Sequence, residues 1–140
     1  MLEAFFTHIY ETNSFVKLLG MQFVSIEPGK AVLSMPIKED IHTNIHKTVH
    51  GGAFAALIDT AMGSACFSMR RKVVTTDLSL SFIRNVPSGE EVTAKATVIH
   101  AGRSTMVVDG ELYDERGKLV MKGKGTFFVL GDVEWLPAEE

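Results

Sequence analysis

Residues 50–69 read HGGAFAALIDTAMGSACFSM, and this stretch decides the fold of the 140-residue chain. Drawn as a helix, it carries apolar residues on nearly every side, which is typical of a helix buried on most of its surface. Asp59 is its one charged residue, and Arg70 and Arg71 follow it, where positive charge suits the helix dipole. We therefore predict a central helix over residues 51–69 that the other elements of the chain must cover.

Four strand-like segments follow that helix, each with apolar and polar residues in alternation. They cover residues 72–83, 90–100, 103–113 and 118–130. In the first segment, the alternation predicts that Val74, Leu78 and Phe82 share one face and that Asp77 lies on the other. An antiparallel sheet with one polar face needs a cover on its other face. The central helix is the expected cover.

An N-terminal helix and a hairpin precede the central helix. The apolar spacing over residues 2–19 predicts one amphipathic helix that ends at Gly20. Residues 21–36 read as two strands around a Pro-Gly turn at Pro28. Residues 37–50 are polar and are predicted to form a loop.

Composition limits the class of protein. The length predicts a single domain over residues 1–140, and 46% hydrophobic residues are enough for a packed core. The net charge of −3 argues against nucleic-acid binding, which relies on a basic surface. Cys66 is the one cysteine, so an intramolecular disulfide is impossible. No stretch resembles a leader or a membrane-spanning helix, which predicts a cytoplasmic protein without membrane contact. The tail with Trp135 and Pro137 is predicted to be irregular.

The start of the central helix is a candidate binding site. The first turn of a helix has unpaired N–H groups at its positive end. Gly51 and Gly52 would let a ligand approach that backbone closely. Such a position can hold a developing oxyanion. The ordinary structural reading of the two glycines is a loop-to-helix junction.

Asp59 is the second candidate, because a lone carboxylate on an apolar helix can act as a base or a nucleophile. Its ordinary reading is a structural group hydrogen-bonded to a neighbouring chain. Asp59 lies eight residues after Gly51, which is about 12 Å along a helix axis. An aspartate side chain does not span that distance. The two groups therefore serve one reaction only if they come from two copies of the helix, which predicts a symmetric homodimer with shared sites.

A longer pattern carries a family resemblance. It comprises Asn44, His50-Gly51-Gly52, Leu57-x-Asp59-x-Ala61-x-Gly63-x-Ala65 and Thr75-x-Asp77-Leu78-x-Leu80-x-Phe82. This pattern resembles the hot-dog-fold acyl-CoA thioesterases, in the branch of the phenylacetate-pathway and 4-hydroxybenzoyl-CoA enzymes. The resemblance implies an α+β hot-dog fold: a curved antiparallel sheet wrapped around one long central helix, with an extra N-terminal helix. It also implies hydrolysis of an acyl-CoA thioester without a cofactor, by homodimers that pair into a homotetramer.

The resemblance also implies roles for individual residues. Asp59 matches the catalytic carboxylate, and Gly51, with Gly52 beside it, matches the N–H that polarises the thioester carbonyl. Asn44 matches an amide that places the carbonyl or the water, and His50 holds the loop before the helix.

Three further positions concern the substrate and the water. Arg103-Ser104, at the start of a predicted strand, matches a contact to the CoA phosphates. Thr75 matches a hydroxyl that places the water, although strand alternation puts it on the face of Asp77. Some relatives carry that hydroxyl four residues after the carboxylate, where this chain has Gly63. Ser64 and Thr76 are the other candidates for it.

Three alternatives stay open at this point. A hydratase or dehydratase on the same fold would use a histidine with a carboxylate. A non-catalytic acyl-CoA-binding module would bind without turnover. A metal protein would use His42, His46 and His50, which are spaced four apart. The β-branched residues among these histidines make a poor helix, so no metal site is expected. Cys66 is expected to be a core residue.

Overall fold

The computed structural model describes residues 2–133, so the predicted irregular tail with Trp135 and Pro137 lies outside the described residues. The elements are α1 (Leu2–Thr12), α2 (Ser14–Leu19), β1 (Gln22–Glu27), β2 (Lys30–Pro36), α3 (Glu39–His42), α4 (Gly51–Phe67), β3 (Arg71–Phe82), β4 (Glu91–Ala101), β5 (Thr105–Tyr113) and β6 (Leu119–Asp132).

The six strands form one antiparallel sheet in the order β1-β2-β4-β5-β6-β3. Helix α4 packs against β2, β3, β4 and β5, so the sheet wraps around it as predicted. Residues on most sides of α4 are fully buried: Leu57, Ile58, Ala61, Met62, Ala65 and Cys66 are 0% exposed. A helix that is apolar nearly all round requires such a cover.

The prediction of one N-terminal helix over residues 2–19 is wrong at Asn13. That residue ends α1 and caps α2, because its side-chain oxygen accepts a hydrogen bond from the N–H of Val16. Asparagine is a strong N-cap residue. The predicted stop is confirmed, since Gly20 adopts the left-handed conformation that ends many helices.

The segment 37–50 is more ordered than the predicted loop. It contains the single turn α3, and Thr43 bridges to Val49. The side chain of His42 is buried between the N–H of Lys38, which donates to Nδ1, and the carbonyl of Leu19, which Nε2 contacts at 2.7 Å. This histidine therefore ties the segment to the N-terminal helices.

Strand β3 departs from simple alternation through a bulge. Thr75 pairs with Phe127 and Asp77 pairs with the next residue of β6, so Thr76 is an extra residue in β3. An extra residue reverses the faces on one side of a bulge. The prediction that Val74 shares the face of Leu78 is therefore wrong. Val74 lies on the outer face and is 45% exposed.

The turn between β4 and β5 ends later than predicted. Strand β5 starts at Thr105, so Arg103 and Ser104 lie in the turn and not in the strand. The guanidinium of Arg71 donates to the carbonyl of Gly102 at 2.9 Å, which attaches this turn to the start of β3.

Candidate active site

A carboxylate and a hydroxyl meet between α4 and β3. The Thr75 hydroxyl donates to Oδ1 of Asp59 at 2.7 Å. Asp59 is half-buried and Thr75 is exposed in the single chain. The bulge at Thr76 brings them together, because it leaves Thr75 on the helix side of the sheet. A hydrogen bond to one carboxylate oxygen orients the group and leaves Oδ2 for another partner.

The two other hydroxyl candidates have different partners. The Ser64 hydroxyl lies 2.7 Å from the hydroxyl of Tyr10, in the interior. The Thr76 hydroxyl donates to the carbonyl of Thr126 across the bulge. Thr75 is therefore the hydroxyl that the structure places beside the carboxylate.

The start of α4 is open to solvent. Gly51 and Gly52 are exposed, and the N–H groups of a first helical turn have no acceptor within their own helix. The helix begins with the carbonyl of His50, which accepts from the N–H of Ala53. The ring of Phe82 covers one side of Gly51, because a Cβ there would lie 3.4 Å from it. A Cβ at this position would be in ordinary contact with the ring, and glycine leaves that space open beside the N–H.

A groove of about 330 Å³ runs beside Gly51. Its apolar walls include Val49, Phe54 and Phe82, and Arg84 and Asn85 add polar groups. Alternation assigns Phe82 to the core, so the sequence pattern does not signal its place in this groove. The ring is 53% exposed in the single chain.

Asn44 and His50 shape the segment before the helix. The Asn44 side chain accepts from the N–H groups of His46 and Thr48 and donates to the Thr48 hydroxyl at 2.7 Å. The His50 side chain is exposed and makes no cap hydrogen bond, while its N–H donates to the carbonyl of His42. His50 is therefore the last residue before the helix, while the Asn44 amide is engaged in its own loop.

One chain does not bring Gly51 and Asp59 together. They lie on the same helix, at a separation of about 12 Å along its axis. The Phe82 end of β3 lies beside Gly51, and the Thr75 end lies beside Asp59. Within the described chain, β3 is an edge strand that pairs with β6 alone. The two halves of the predicted site thus lie near the two ends of one open strand.

Arg103 and Ser104 lie at the Asp59 end of the sheet. Thr105, the first strand residue after their turn, pairs with Phe128 of β6, and Phe128 pairs in turn with Val74 of β3. Two strand spacings, about 10 Å, separate this turn from β3. Arg103 is exposed.

The histidines do not converge on a ligand set. His42 is buried with both ring nitrogens engaged, whereas His46 and His50 are exposed. Among residues 2–133, no cluster of three or more His, Cys, Asp or Glu side chains could hold a metal ion. Burial raises the pKa of the Cys66 thiol to about 12, which matches the expected core role. No helix within the described range is long and apolar enough to cross a membrane.

Comparison with known proteins gives consistent matches. Residues 46–121 match the model of the thioesterase superfamily. The chain is 32% identical to acyl-coenzyme A thioesterase PaaI of Escherichia coli K12, over 88% of this chain and 87% of that protein. It is 29% identical to human acyl-coenzyme A thioesterase 13, over 83% of this chain and 85% of that protein.

Two solved structures show the same architecture. The E. coli PaaI protein superposes with a TM-score of 0.85 at 31% identity, over 93% of this chain and 95% of that one. A Streptococcus mutans protein solved with bound acetyl CoA superposes with a TM-score of 0.77 at 26% identity, over 80% of this chain and 90% of that one.

Proposed function

Because the chain belongs to the thioesterase superfamily and has the hot-dog fold of the PaaI branch, we propose that it hydrolyses acyl-CoA at a site built by two copies of the chain. It is a thioester hydrolase, and acyl-CoA thioesterase activity is that of its branch. The observation that carries the finer proposal is the Asp59–Thr75 pair beside an open strand edge.

The open edge of β3 would pair with the same edge of a second copy. A long unpaired edge favours association with another strand. In an antiparallel pair of strands related by a two-fold axis, one residue lies opposite the same residue of the other copy. If that residue is Ser79, Leu80 lies opposite the partner's Leu78, and both face the helices.

This register also assembles the site. Counting outward from Ser79, Phe82 falls opposite the bulged pair Thr75 and Thr76 of the partner. Since Phe82 touches Gly51 and Thr75 touches Asp59, each Gly51 N–H then faces the partner's Asp59. If the two-fold axis instead passed two residues away from Ser79 along β3, the Gly51 N–H and the partner's Asp59 would no longer face each other. Each residue of a strand adds about 3.3 Å to that displacement.

The paired site can perform the hydrolysis with few groups. The thioester carbonyl oxygen accepts from the Gly51 N–H, at the positive end of α4. In one route, Asp59 takes a proton from water, and the hydroxide adds to the carbonyl carbon. In the other route, the carboxylate adds directly, and water then hydrolyses the mixed anhydride. In both routes the C–S bond breaks, the CoA thiolate takes up a proton, and the free acid is released.

The surrounding residues have supporting roles. Thr75 orients Asp59, and Gly52 leaves space for the substrate. Asn44 and His50 hold the segment that presents the Gly51 N–H. Arg103 and Ser104 would contact the CoA phosphates, which needs local positive charge in a chain of net charge −3.

Pairing of dimers into a homotetramer would use the outer face of the sheet. Val74, Phe128 and Leu130 are exposed there, at 45%, 47% and 54%. Val74 lies opposite Phe128 in the β3–β6 pair. Contiguous apolar surface of this kind favours burial in an interface. Cytoplasmic location and the absence of a required cofactor or metal also stay predictions.

A panel of CoA esters tests this function. We expect the wild-type chain to hydrolyse at least one aryl or aliphatic acyl-CoA. Asp59→Asn keeps the shape and the acceptor for Thr75, and it should lower kcat by about a hundredfold or more, as loss of acid-base catalysis does. Free thiol release measures both. Unchanged kcat in Asp59→Asn would remove the carboxylate from the mechanism, and hydration of enoyl-CoA without thiol release would favour a hydratase.

A further inference from the structure

A second pocket lies between the N-terminal helices, α4 and the start of β3. Its volume is about 370 Å³. Phe6, Tyr10, Phe67 and Val73 are among its apolar lining residues, and Gly63 lines it from the middle of α4. The family pattern uses neither the N-terminal helices nor this part of β3.

Two rows of residues lead from the Asp59–Thr75 pair into this pocket. Along α4, Gly63 follows Asp59 by one turn on the same face, about 6 Å away. Along β3, Val73 precedes Thr75 by two residues on the same face, about 7 Å away. Because Asp59 and Thr75 are hydrogen-bonded, both rows begin at the same point. The pocket is therefore the first apolar space beyond the carboxylate within its own chain.

The hydroxyl and amide groups of the pocket are already engaged. Tyr10 and Ser64 share a hydrogen bond of 2.7 Å, and burial raises the pKa of Tyr10 to about 12, so this wall is neutral. The Thr60 hydroxyl donates to the carbonyl of Ala56. The Asn13 side chain caps α2. Lys72, at the rim, is exposed. An apolar group loses little by entering such a space, whereas a polar group would lose hydrogen bonds to water.

Gly63 controls how much of this space is open. A Cβ built on Gly63 meets no heavy atom within 4 Å, so a side chain there would project into the pocket and not into the core. We propose that this pocket binds the acyl group of the thioester and that the missing side chain at Gly63 sets the largest acyl group accepted. The inference rests on the proposed function, because the pocket matters only if Asp59 faces a thioester.

The groove beside Gly51 is the competing place for the acyl group. In the two-copy site it lies on the far side of the carbonyl, and its lining includes Arg84 and Asn85. The pocket at Gly63 is lined mainly by apolar side chains, and its hydroxyls are paired. Because of this difference, we expect the acyl group to bind in the pocket at Gly63 and the polar CoA arm to lie on the other side of the carbonyl.

Substitution at Gly63 tests the assignment. Gly63→Val fills the pocket, and Gly63→Ala is its matched small control. The readout is the ratio of kcat/KM for octanoyl-CoA to kcat/KM for acetyl-CoA, with phenylacetyl-CoA as a second large substrate. We expect Gly63→Val to lower this ratio by about tenfold or more, since a pocket that loses space rejects a larger group by that factor. Gly63→Ala should change it less.

Several outcomes would overturn the proposal. An unchanged ratio in Gly63→Val, together with a lowered ratio in Phe54→Trp, would place the acyl group in the groove beside Gly51. Equal losses for both substrates would mean that Gly63 affects the chemistry and not the acyl size. If Gly63→Val does not fold, as judged by its melting transition, Gly63→Met replaces it as a flexible side chain. Failure of the proposed function is separate, since it would appear as a wild-type chain that releases no thiol.

Discussion

The hydroxyl of Thr75 reaches the carboxylate of Asp59 across the boundary between sheet and helix, at 2.7 Å. It does so from a strand position that simple alternation assigns to the opposite face. The extra residue Thr76 accounts for the difference. This contact makes Thr75 a positioning residue for the carboxylate.

We expect Thr75→Ala to lower kcat by about tenfold to a hundredfold with a smaller change in KM, because a hydrogen bond to a charged group contributes about 1.5–3 kcal/mol. Thr75→Ser keeps the hydroxyl and should recover most of the loss. Steady-state kinetics with one acyl-CoA measures both. Thr76→Ala is the control for the bulge itself. A serine variant as slow as the alanine variant would assign Thr75 a packing role instead.

Gly51→Pro should remove the backbone N–H donor at the start of α4 with little effect on the stability of the helix. Proline is favoured at the first helical position. His50 has φ −58° and ψ 133°, which is compatible with a following proline. Gly51→Ala keeps the N–H and serves as the control.

An equal mixture of Gly51→Pro and Asp59→Asn chains, after subunit exchange, should regain roughly one quarter of the wild-type activity, because half of the dimers have one intact site. No recovery after verified exchange would place both groups of a site on one chain.

Ser79→Cys should form a disulfide between two copies under mild oxidation. A residue that lies opposite itself in an antiparallel pair has its Cα atoms about 4.5–5.5 Å apart, within the disulfide range. Ser81→Cys, on the same face of β3, would lie about 13 Å from its copy and should not cross-link. Cys66 is fully buried and contributes little background. Cross-linking of both variants at the same rate, on non-reducing gels, would reject the register.

Gly110→Ala and Gly63→Ala should change stability in opposite directions. A Cβ at Gly110 would lie 2.5 Å from Met62 and 2.7 Å from Ile58, both fully buried beneath the sheet. Overpacking of this kind costs about 1–3 kcal/mol. Gly63 has open space, so alanine should stabilise α4 by about 0.5–1 kcal/mol. Urea unfolding measures the free energy of each variant. A stabilised Gly110→Ala would mean that the two neighbours move aside at no cost.

Asp114 should make the fold sensitive to acid. The N–H of Lys118, with that of Arg116, donates to its carboxylate at 2.9 Å, and these bonds hold the pKa of Asp114 below its usual 3.8. A lowered pKa in the folded state stabilises the fold above about pH 4 and loses that effect as the pH falls through the folded-state value. The Tm difference between wild type and Asp114→Asn should therefore shrink from pH 7 to pH 3. A constant difference would contradict this assignment.

Most of the fold follows from the sequence because its strongest patterns are local. Helix α4 is apolar on nearly every side, and β4 and β5 alternate regularly, so their faces are predicted correctly: Val92, Ala94, Met106 and Val108 are buried as expected. The position of Gly51 at the helix start and of Asp59 within the helix also follows from local spacing.

The remaining features depend on single residues or on distant partners. The break at Asn13 leaves the apolar spacing almost unchanged, and only the capping preference of asparagine signals it. The bulge at Thr76 cannot be seen in alternation, since Val73 and Val74 are both apolar and leave the face of the first half of β3 undecided. The pocket at Gly63 depends on residues about 50 positions apart, Tyr10 and Ser64 among them, and local spacing carries no signal for such pairs.

The position of β3 in the sheet has a consequence for how the site arises during synthesis. Its partner within the chain is β6, which begins at Leu119, although β3 ends at Phe82. A nascent chain that stops before Leu119 contains Asp59 and Thr75 but lacks the strand that fixes their contact. Pairing over such long sequence separations forms late in folding. Hydrolytic competence should therefore appear only when β6 has left the ribosome.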